Sequence, residues 1–378
     1  KISPNEKLLA LTIDTSGAEL HKLIVKNIKT GEILDNHLSN LDGSVEWAND
    51  NKTLFYTVLD KAHRSYQLWR HELGSEQSDD VLVFQEDDDR FSVGLHRTKS
   101  GEFLKMDLES QITTEVYLLD RNDPFGEWKL VQPREQGVEY YVYHHGNYLY
   151  QITNKDAINF KMIRTTLKGG KEDEIIPNRD KTTLDDVSMF KNHMAVLERI
   201  DGNLEIRLFN FEDESWYNIE MNEDIYSLTF EENYDWNSDF FRFGYGSFKT
   251  PYCVYDIDFK IHDKTLRKKD YVSKRIWAPT HDGKKLAITL LYKKGIDLKG
   301  NNPCFLWGYG SYGATYDPWF SSNIFSLVDR GMVYARAHIR GSSFMGRKWY
   351  LDGKLKHKKN TFEDFISAGQ FLANEGIT

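Results

Sequence analysis

The sequence predicts a β-propeller of about six repeats followed by an α/β region, and three observations predict it. Short apolar strands recur at a spacing in the mid-forties up to the neighbourhood of Tyr271, the length that a four-stranded propeller blade occupies. Helical periodicity is nearly absent from that stretch. Beyond it, strands begin to alternate with helices, which implies a parallel α/β sheet.

The repeat is carried by Lys22-Leu23-Ile24-Val25, Gln67-Leu68-Trp69-Arg70, Glu115-Val116-Tyr117-Leu118, Lys161-Met162-Ile163-Arg164, Glu205-Ile206-Arg207-Leu208 and Cys253-Val254-Tyr255-Asp256. Its aligned apolar positions are Leu23, Leu68, Val116, Met162, Ile206 and Val254. Each unit also holds an earlier strand pair split by turn residues. Val45-Glu46-Trp47 and Leu54-Phe55-Tyr56-Thr57 flank Ala48-Asn49-Asp50-Asn51-Lys52, for example, where Asn and Asp tolerate the positive φ of tight turns. A β-sandwich is the alternative, but nothing in a sandwich enforces a constant unit length, whereas radial repetition does. No seventh unit is visible, so the expectation is a six-bladed ring or a chain that begins after a first blade.

The repeats offer no catalytic or metal site. Glu86-Asp87-Asp88-Asp89-Arg90 lacks the alternating ligand spacing and central glycine of a calcium loop and reads as a solvated acidic loop. His144 and His145 would point to opposite faces of a strand, which spoils them as paired ligands. Trp47, Trp69 and Tyr117 read as packing between blades rather than a binding box.

Residues 258–274, with Lys260, Lys264, Arg267, Lys268 and Lys269, form a basic link, and the domain boundary is set at 272/273. Arg275-Ile276-Trp277-Ala278 and Leu286 to Tyr292 read as strands joined at the Asp282-Gly283 turn. Cys304-Phe305-Leu306-Trp307 is nearly all apolar, as in a sheet buried on both faces. Ile324, Phe325, Leu327 and Val328 suit a short helix over 321–330 that Gly331 ends, and Met332 starts a strand running to Ile339. The last element is a helix from Asn360 to Asn374, capped by Asn360 or Thr361, with Phe362, Phe365, Ile366 and Leu372 lining one face. Two glycine-rich turns, after Trp307 and at Arg340-Gly341-Ser342-Ser343-Phe344-Met345-Gly346, follow these strands. Such turns are where an α/β enzyme lets its backbone approach a ligand.

The totals narrow the function classes. The chain has 378 residues, too many for one ordinary core, with 40% hydrophobic and 28% charged residues and a mean hydropathy of -0.60, which argues against disorder. No apolar run is long enough to span a bilayer, so no membrane partner is expected. A formal net charge of -9 disfavours nucleic acid. The two cysteines, Cys253 and Cys304, supply neither a disulfide framework nor a metal site. A cytoplasmic setting, no metal and no cofactor are therefore expected.

The motifs after residue 304 go further. Phe305-Leu306-Trp307-Gly308-Tyr309-Gly310-Ser311-Tyr312-Gly313-Ala314, Leu327-Val328-Asp329-Arg330-Gly331, His338-Ile339-Arg340-Gly341, Trp349-Tyr350-Leu351-Asp352-Gly353-Lys354 and Lys359-Asn360-Thr361-Phe362-Glu363-Asp364-Phe365 closely resemble the prolyl oligopeptidase family of serine peptidases, most of all its oligopeptidase B branch. Motifs of this kind run over about residues 275–378, and Val45-Glu46-Trp47-Ala48-Asn49-Asp50 extends the likeness back through the repeats. The resemblance implies a seven-bladed propeller capping an α/β-hydrolase domain with a Ser, Asp and His triad. It also implies cleavage of short peptides after Arg or Lys, with the propeller excluding folded proteins. On this reading residues 1–272 are the propeller without its first blade, and residues 273–378 are the N-terminal part of the hydrolase domain. Tyr309 matches the tyrosine whose hydroxyl helps to form the oxyanion hole, and Tyr312 the aromatic residue at the edge of the first specificity pocket.

Two departures from the family stand out. Many relatives have an acidic residue where this chain has Phe344, and glycines in place of Ser342 and Ser343. The triad is also missing. A nucleophile elbow reads Gly-x-Ser-x-Gly at a strand-to-helix turn, yet Ser311 has Tyr309 two positions before it and Ser343 has Met345 two positions after it. In the family's order the elbow, Asp and His follow the helix that ends near Asn374. The expectation is therefore a piece of a serine oligopeptidase that is inactive by itself and prone to self-association through unpaired blade edges. A makeshift pair of His338 with Ser311 or Ser342 lacks the orienting third group such a site needs. The rival reading is a propeller-based binding scaffold with a degenerate hydrolase tail.

Overall fold

The computed structural model describes residues 1–36, 38–259 and 271–378. Lys260, Lys264, Arg267, Lys268 and Lys269 of the basic link lie outside the described residues. The chain divides into two compact units, residues 1–155 with 162–176, and residues 156–161 with 177–378.

The first unit is built of four sheets whose strands pair in chain order. Sheet 1 holds Leu8–Ile13, Lys22–Asn27 and Ile33–Asp35, and sheet 2 holds Leu41–Trp47, Thr53–Leu59, Ser65–Glu72 and Val81–Gln85. Sheet 3 holds Ser92–Arg97, Phe103–Glu109, Thr114–Asp120 and Lys129–Gln132, and sheet 4 Tyr140–His145, Tyr148–Thr153, Lys161–Thr166 and Asp173–Ile176. Turn chemistry works as expected. The Asp50 carboxylate accepts the Lys52 and Thr53 amides at 2.9 Å each, and Asn51 sits at φ +62°.

Alternation along each strand lets a sheet bury both faces. Leu54 and Tyr56 pack with Leu23 and Val25 of sheet 1, while Phe55 between them packs with Val93, Leu95 and Met106 of sheet 3. Val116 and Leu118 likewise meet Tyr140 and Val142 of sheet 4. Each such side chain contributes about 1.5–3 kcal/mol on full burial. Trp47 and Trp69 join the packing of sheets 1 and 2, and Tyr117 that of sheets 2 and 3.

The acidic loop at Glu86 to Arg90 differs from a purely solvated one. The Arg64 guanidinium donates to the carbonyls of Glu86, Asp88 and Phe91, and buried Glu86 accepts from Arg134 at 2.6 Å. The cation in this loop is an arginine. His144 is buried, with its ring bonded to Ser100 at 2.8 Å and to the Gly146 carbonyl at 2.7 Å.

In the second unit, sheet 5 comprises Thr182–Met189, His193–Ile200, Asn203–Asn210 and Trp216–Asn218, and sheet 6 Ser227–Phe230, Phe240–Gly246 and Cys253–Asp258. They share a core of Leu204, Ile206, Leu208, Phe241, Phe243 and Ile257. The aligned repeat positions from Leu68 to Val254 all fall in the third strand of their sheet. Val254 is nevertheless 50% exposed. Its strand buries the opposite set, with Tyr255 and Ile257 turned to the core, because a one-residue offset flips the face.

The C-terminal part contains β1 (Tyr271–Pro279), β2 (Lys285–Lys293), β3 (Cys304–Gly308), α1 (Ser322–Val328), β4 (Val333–Ala337), α2 (Arg347–Leu351) and α3 (Lys359–Asn374). The sheet order is β1-β2-β4-β3. Only the β3 and β4 pair is parallel, and β1/β2 and β2/β4 are antiparallel. As expected, β1 and β2 join at the Asp282-Gly283 turn, and the parallel pairing is confined to β3-α1-β4, which has the helical crossover it requires. α1 ends as expected, at Gly331 with φ +89°.

α3 keeps half of its expected face: Leu372 is buried and Phe365 packs on the core. Thr361, Asp364, Ala368 and Leu372 are buried, whereas Phe362 is 62% and Ile366 52% exposed. The helix is turned so that Asp364 rather than Phe362 faces inward, for a reason that lies in the site. Nor does Asn360 or Thr361 cap it with a side chain. Thr361 Oγ1 donates instead to the carbonyls of Arg340 (2.8 Å) and Gly353 (3.1 Å), and Asn360 Nδ2 to that of Asp352 (2.8 Å).

Candidate functional site

The turn after β3 and the turn after β4 lie against each other. The Gly313 amide donates to the Gly341 carbonyl (2.9 Å), and the Ser343 amide to the Gly313 carbonyl (3.0 Å). Gly341 has φ +94°, and a side chain there would collide with the Gly310 carbonyl; one on Gly310 would meet the Arg340 carbonyl at 2.5 Å. The glycines expected to admit a ligand serve here to bring two backbone turns together.

A buried ion pair ties the turn after β4 to α3. Arg340 and Asp364 are both fully buried, and the Asp364 carboxylate accepts the Arg340 amide (3.0 Å), Nε (2.8 Å) and Nη2 (2.6 Å). Asp282, in the β1–β2 turn, accepts from the other side of the same guanidinium at 2.7 and 3.0 Å. Hydrogen bonding to Arg340 holds the Asp282 carboxyl well below the usual carboxylate range. Burial works against the Arg340 charge, but its two carboxylate partners outweigh burial and raise its pKa further. This pairing turns Asp364 inward on α3. His281, Asp282 and Asp364 lie close enough to share an ion, but Arg340 already engages both carboxylates.

From the α3 side, Lys358 Nζ donates to the Gly310 carbonyl and to Ser311 Oγ, the latter at 2.7 Å. Burial lowers the Lys358 pKa.

Tyr309 and Tyr312 lie on the outer side of this assembly. Tyr309 is 37% exposed, and its ring meets that of Tyr316 edge-on at 5.3 Å; Tyr316 in turn meets Trp307 at 5.0 Å. Among the described residues the Tyr309 hydroxyl makes no hydrogen bond. Tyr312 is 89% exposed, on a left-handed backbone at φ +58°. An exposed phenol with an uncommitted hydroxyl can serve as a donor to a transient anion.

His338 and Phe344 occupy a separate, buried place. Their rings stack at 3.6 Å, His338 Nε2 bonds Thr289 Oγ1 at 2.8 Å, and the His338 carbonyl accepts from Trp349 Nε1 at 2.9 Å. Burial, followed by the charges of Arg275, Arg336 and Arg199, pushes the His338 pKa well below its ordinary value. Ser342 Oγ donates to the Ile339 carbonyl at 2.8 Å. Thus His338 forms no pair with either serine. Phe344 fills a core position that also abuts Gly202, with Arg275 over its ring at 5.0 Å. Burial lowers the Arg275 pKa to about 10 against the attraction of Asp317. Arg199 grips Asp317 with two bonds of 2.7 and 2.9 Å. The sequence singled out none of Arg340, Asp364, Asp282, Lys358 or Arg199 as paired groups. Arg340 and Asp364 each stand in a motif that carries the family likeness, but nothing there pairs them.

The described residues contain no helix long and apolar enough to cross a membrane. Residues 1–270 match the N-terminal β-propeller domain of prolyl oligopeptidase, and residues 318–378 match the prolyl oligopeptidase family. The chain is 36% identical to dipeptidyl aminopeptidase BI of Pseudoxanthomonas mexicana and 30% identical to protease 2 of Moraxella lacunata, covering 100% of this chain and 54% and 56% of those proteins. It therefore spans about half the length of these relatives. Oligopeptidase B from Leishmania major superposes with a TM-score of 0.87 at 30% identity, and that from Trypanosoma brucei with 0.88 at 33%; each match covers all of this chain and 57% or 56% of the other. The six sheets are accordingly those of a propeller, followed by part of an α/β-hydrolase domain, and the chain belongs to the prolyl oligopeptidase family.

Proposed function

We propose that these residues are part of a serine oligopeptidase of the oligopeptidase B type that hydrolyses short peptides after Arg or Lys. Residues 1–272 belong to the propeller that restricts access, and residues 273–378 to the first part of the catalytic domain. Tyr309 donates its hydroxyl to the oxyanion, and Tyr312 borders the first specificity pocket. The observation that carries the reading is Tyr309 itself, braced by Tyr316, half-exposed at the end of β3 and with its hydroxyl uncommitted among the described residues. Such a donor is worth about 3 kcal/mol of barrier. Similarity to protease 2 and to the oligopeptidase B structures supports the class, and the free thiols of Cys253 and Cys304 support a cytoplasmic setting.

The test uses chromogenic Arg- and Lys-terminated peptide amides with the complete enzyme and with residues 1–378 alone. Turnover by the complete enzyme, abolished by a serine-directed phosphonate, is expected. The isolated residues, which contain no Gly-x-Ser-x-Gly elbow, are expected to give none and to associate as concentration rises, as read by light scattering. Turnover by the isolated residues would defeat the reading. The similarity to a dipeptidyl aminopeptidase favours a second mode, release of dipeptides from a free amino terminus. Amino-blocked and free substrates separate the two modes. The scaffold alternative predicts no turnover by the complete protein.

A further inference from the structure

We propose that Lys358 is a positioning residue for the oxyanion donor Tyr309, an inference that rests on the reading of Tyr309 given above. The peptide after Tyr309 is held from one side by backbone packing, where Gly310 presses on the Arg340 carbonyl and on Thr361. That packing bears on the Gly310 Cα and leaves the Gly310 carbonyl and Ser311 Oγ to be held by other donors. Lys358 supplies the missing constraint. Its ammonium donates both to the Gly310 carbonyl and to Ser311 Oγ, two acceptors on the residues that immediately follow Tyr309. Without it, among the described residues the Gly310 carbonyl keeps only a long contact of 3.4 Å from Thr361 Oγ1.

The arrangement is a clamp and not a serine–lysine nucleophile pair. A lysine that activates a serine must accept its proton, whereas Nζ here also donates to a carbonyl, which an ammonium satisfies best. Arg340 and Asp364 hold the opposite turn, so the roles divide: the buried pair fixes the floor, and Lys358 fixes the strand end that carries the donor. An oxyanion donor acts only if its hydroxyl stays within about 0.5 Å of the productive position, and a displacement of about 1 Å can cost roughly a hundredfold. Because the lysine is partly exposed, its loss removes the clamp without opening a core cavity. Its burial-lowered pKa places loss of the clamp at a lower pH than for an ordinary lysine.

The experiment measures kcat and KM in the complete enzyme for Lys358→Met, Lys358→Arg, Tyr309→Phe and the double variant Lys358→Met/Tyr309→Phe. Tyr309→Phe is expected to lower kcat about a hundredfold. Lys358→Met should lower kcat about tenfold with KM within about twofold and an unchanged melting temperature, and Lys358→Arg should recover most of the loss. In the Tyr309→Phe background, Lys358→Met should cost less than about twofold, because the group it positions is gone. An alkaline fall in wild-type kcat should be absent in Lys358→Arg. Equal losses from Lys358→Met in both backgrounds, or a change confined to KM or to melting temperature, would overturn the clamp while leaving Tyr309 intact. An unchanged kcat in Tyr309→Phe would overturn the parent reading, and the clamp with it.

Discussion

Asp364→Ala removes one partner of a fully buried charge pair, and its cost can be worked from the contacts. The carboxylate accepts three bonds from Arg340, at 3.0, 2.8 and 2.6 Å, and both residues are shielded from water. Breaking a buried pair strands the surviving charge, which typically costs about 3–5 kcal/mol. Asp282 still holds the other side of the guanidinium, so the lower end of that range applies, about 3 kcal/mol. Asp282→Ala leaves the inner pair intact and removes a half-exposed partner, so about 1–2 kcal/mol is expected. The two substitutions together should exceed the sum of the singles, because the last counter-charge goes. Amide hydrogen exchange across α3 (Lys359–Asn374) is the suitable assay, since it reads the local opening of the helix Asp364 anchors. At 1.4 kcal/mol per tenfold, Asp364→Ala should accelerate exchange at the most protected α3 amides roughly a hundredfold. Acceleration below about fivefold would refute the assignment of this pair as the anchor of α3 on the turn after β4.

Four further outcomes follow from other features of the structure. Buried His71 lies between Asp35 (2.8 Å) and Asp80 (2.7 Å), and although burial opposes its charge, the two carboxylates raise its pKa to about 9. A folded pKa above the unfolded value of about 6.5 means a stabilisation of about 3 kcal/mol, fully present below pH 6.5 or so and lost as pH rises through about 9. Urea unfolding across that window should show the loss in wild type and not in His71→Gln. Gly341→Ala, at φ +94° and in collision with the Gly310 carbonyl, should destabilise by more than about 2 kcal/mol. Gly331→Ala, at φ +89° but in open space, should cost about 1 kcal/mol in the same denaturation assay. Phe344→Ala empties a core position stacked on His338 and should cost about 3–5 kcal/mol by chemical denaturation. A cost under 1 kcal/mol would mean that Phe344 is loop surface after all.

Much of the architecture was legible because it is periodic. The strand recurrence from Leu23 to Ile206 locates a buried position in successive sheets, since unit length and alternation are local properties that sheet stacking enforces. Where one side of a strand is unconstrained by a neighbour among the described residues, as at Cys253–Asp258, the alignment slipped by one residue and named exposed Val254. On α3 the expected Phe365 and Leu372 pack on the core, and the rest of the face was misjudged for a different reason. Hydrophobic periodicity chose Phe362 and Ile366, yet a buried carboxylate with an arginine partner outranks them in setting the rotation of the helix, and charge pairing over a long separation leaves no periodic trace.

The sequence by itself determined the strand repeat, the hairpins, the position of α1 and α3, and the motifs that carry the family likeness, all of which depend on residues near one another in the chain. Only the tertiary structure decided the mixed sheet order, the packing of Gly310 against Gly341, and the roles of Arg340, Asp364, Asp282 and Lys358. These depend on backbone approach and on charges brought together from distant segments. For that reason Tyr309 could be named from its neighbours in sequence, whereas the contacts around its turn emerged only once the turns after β3 and β4 were seen side by side.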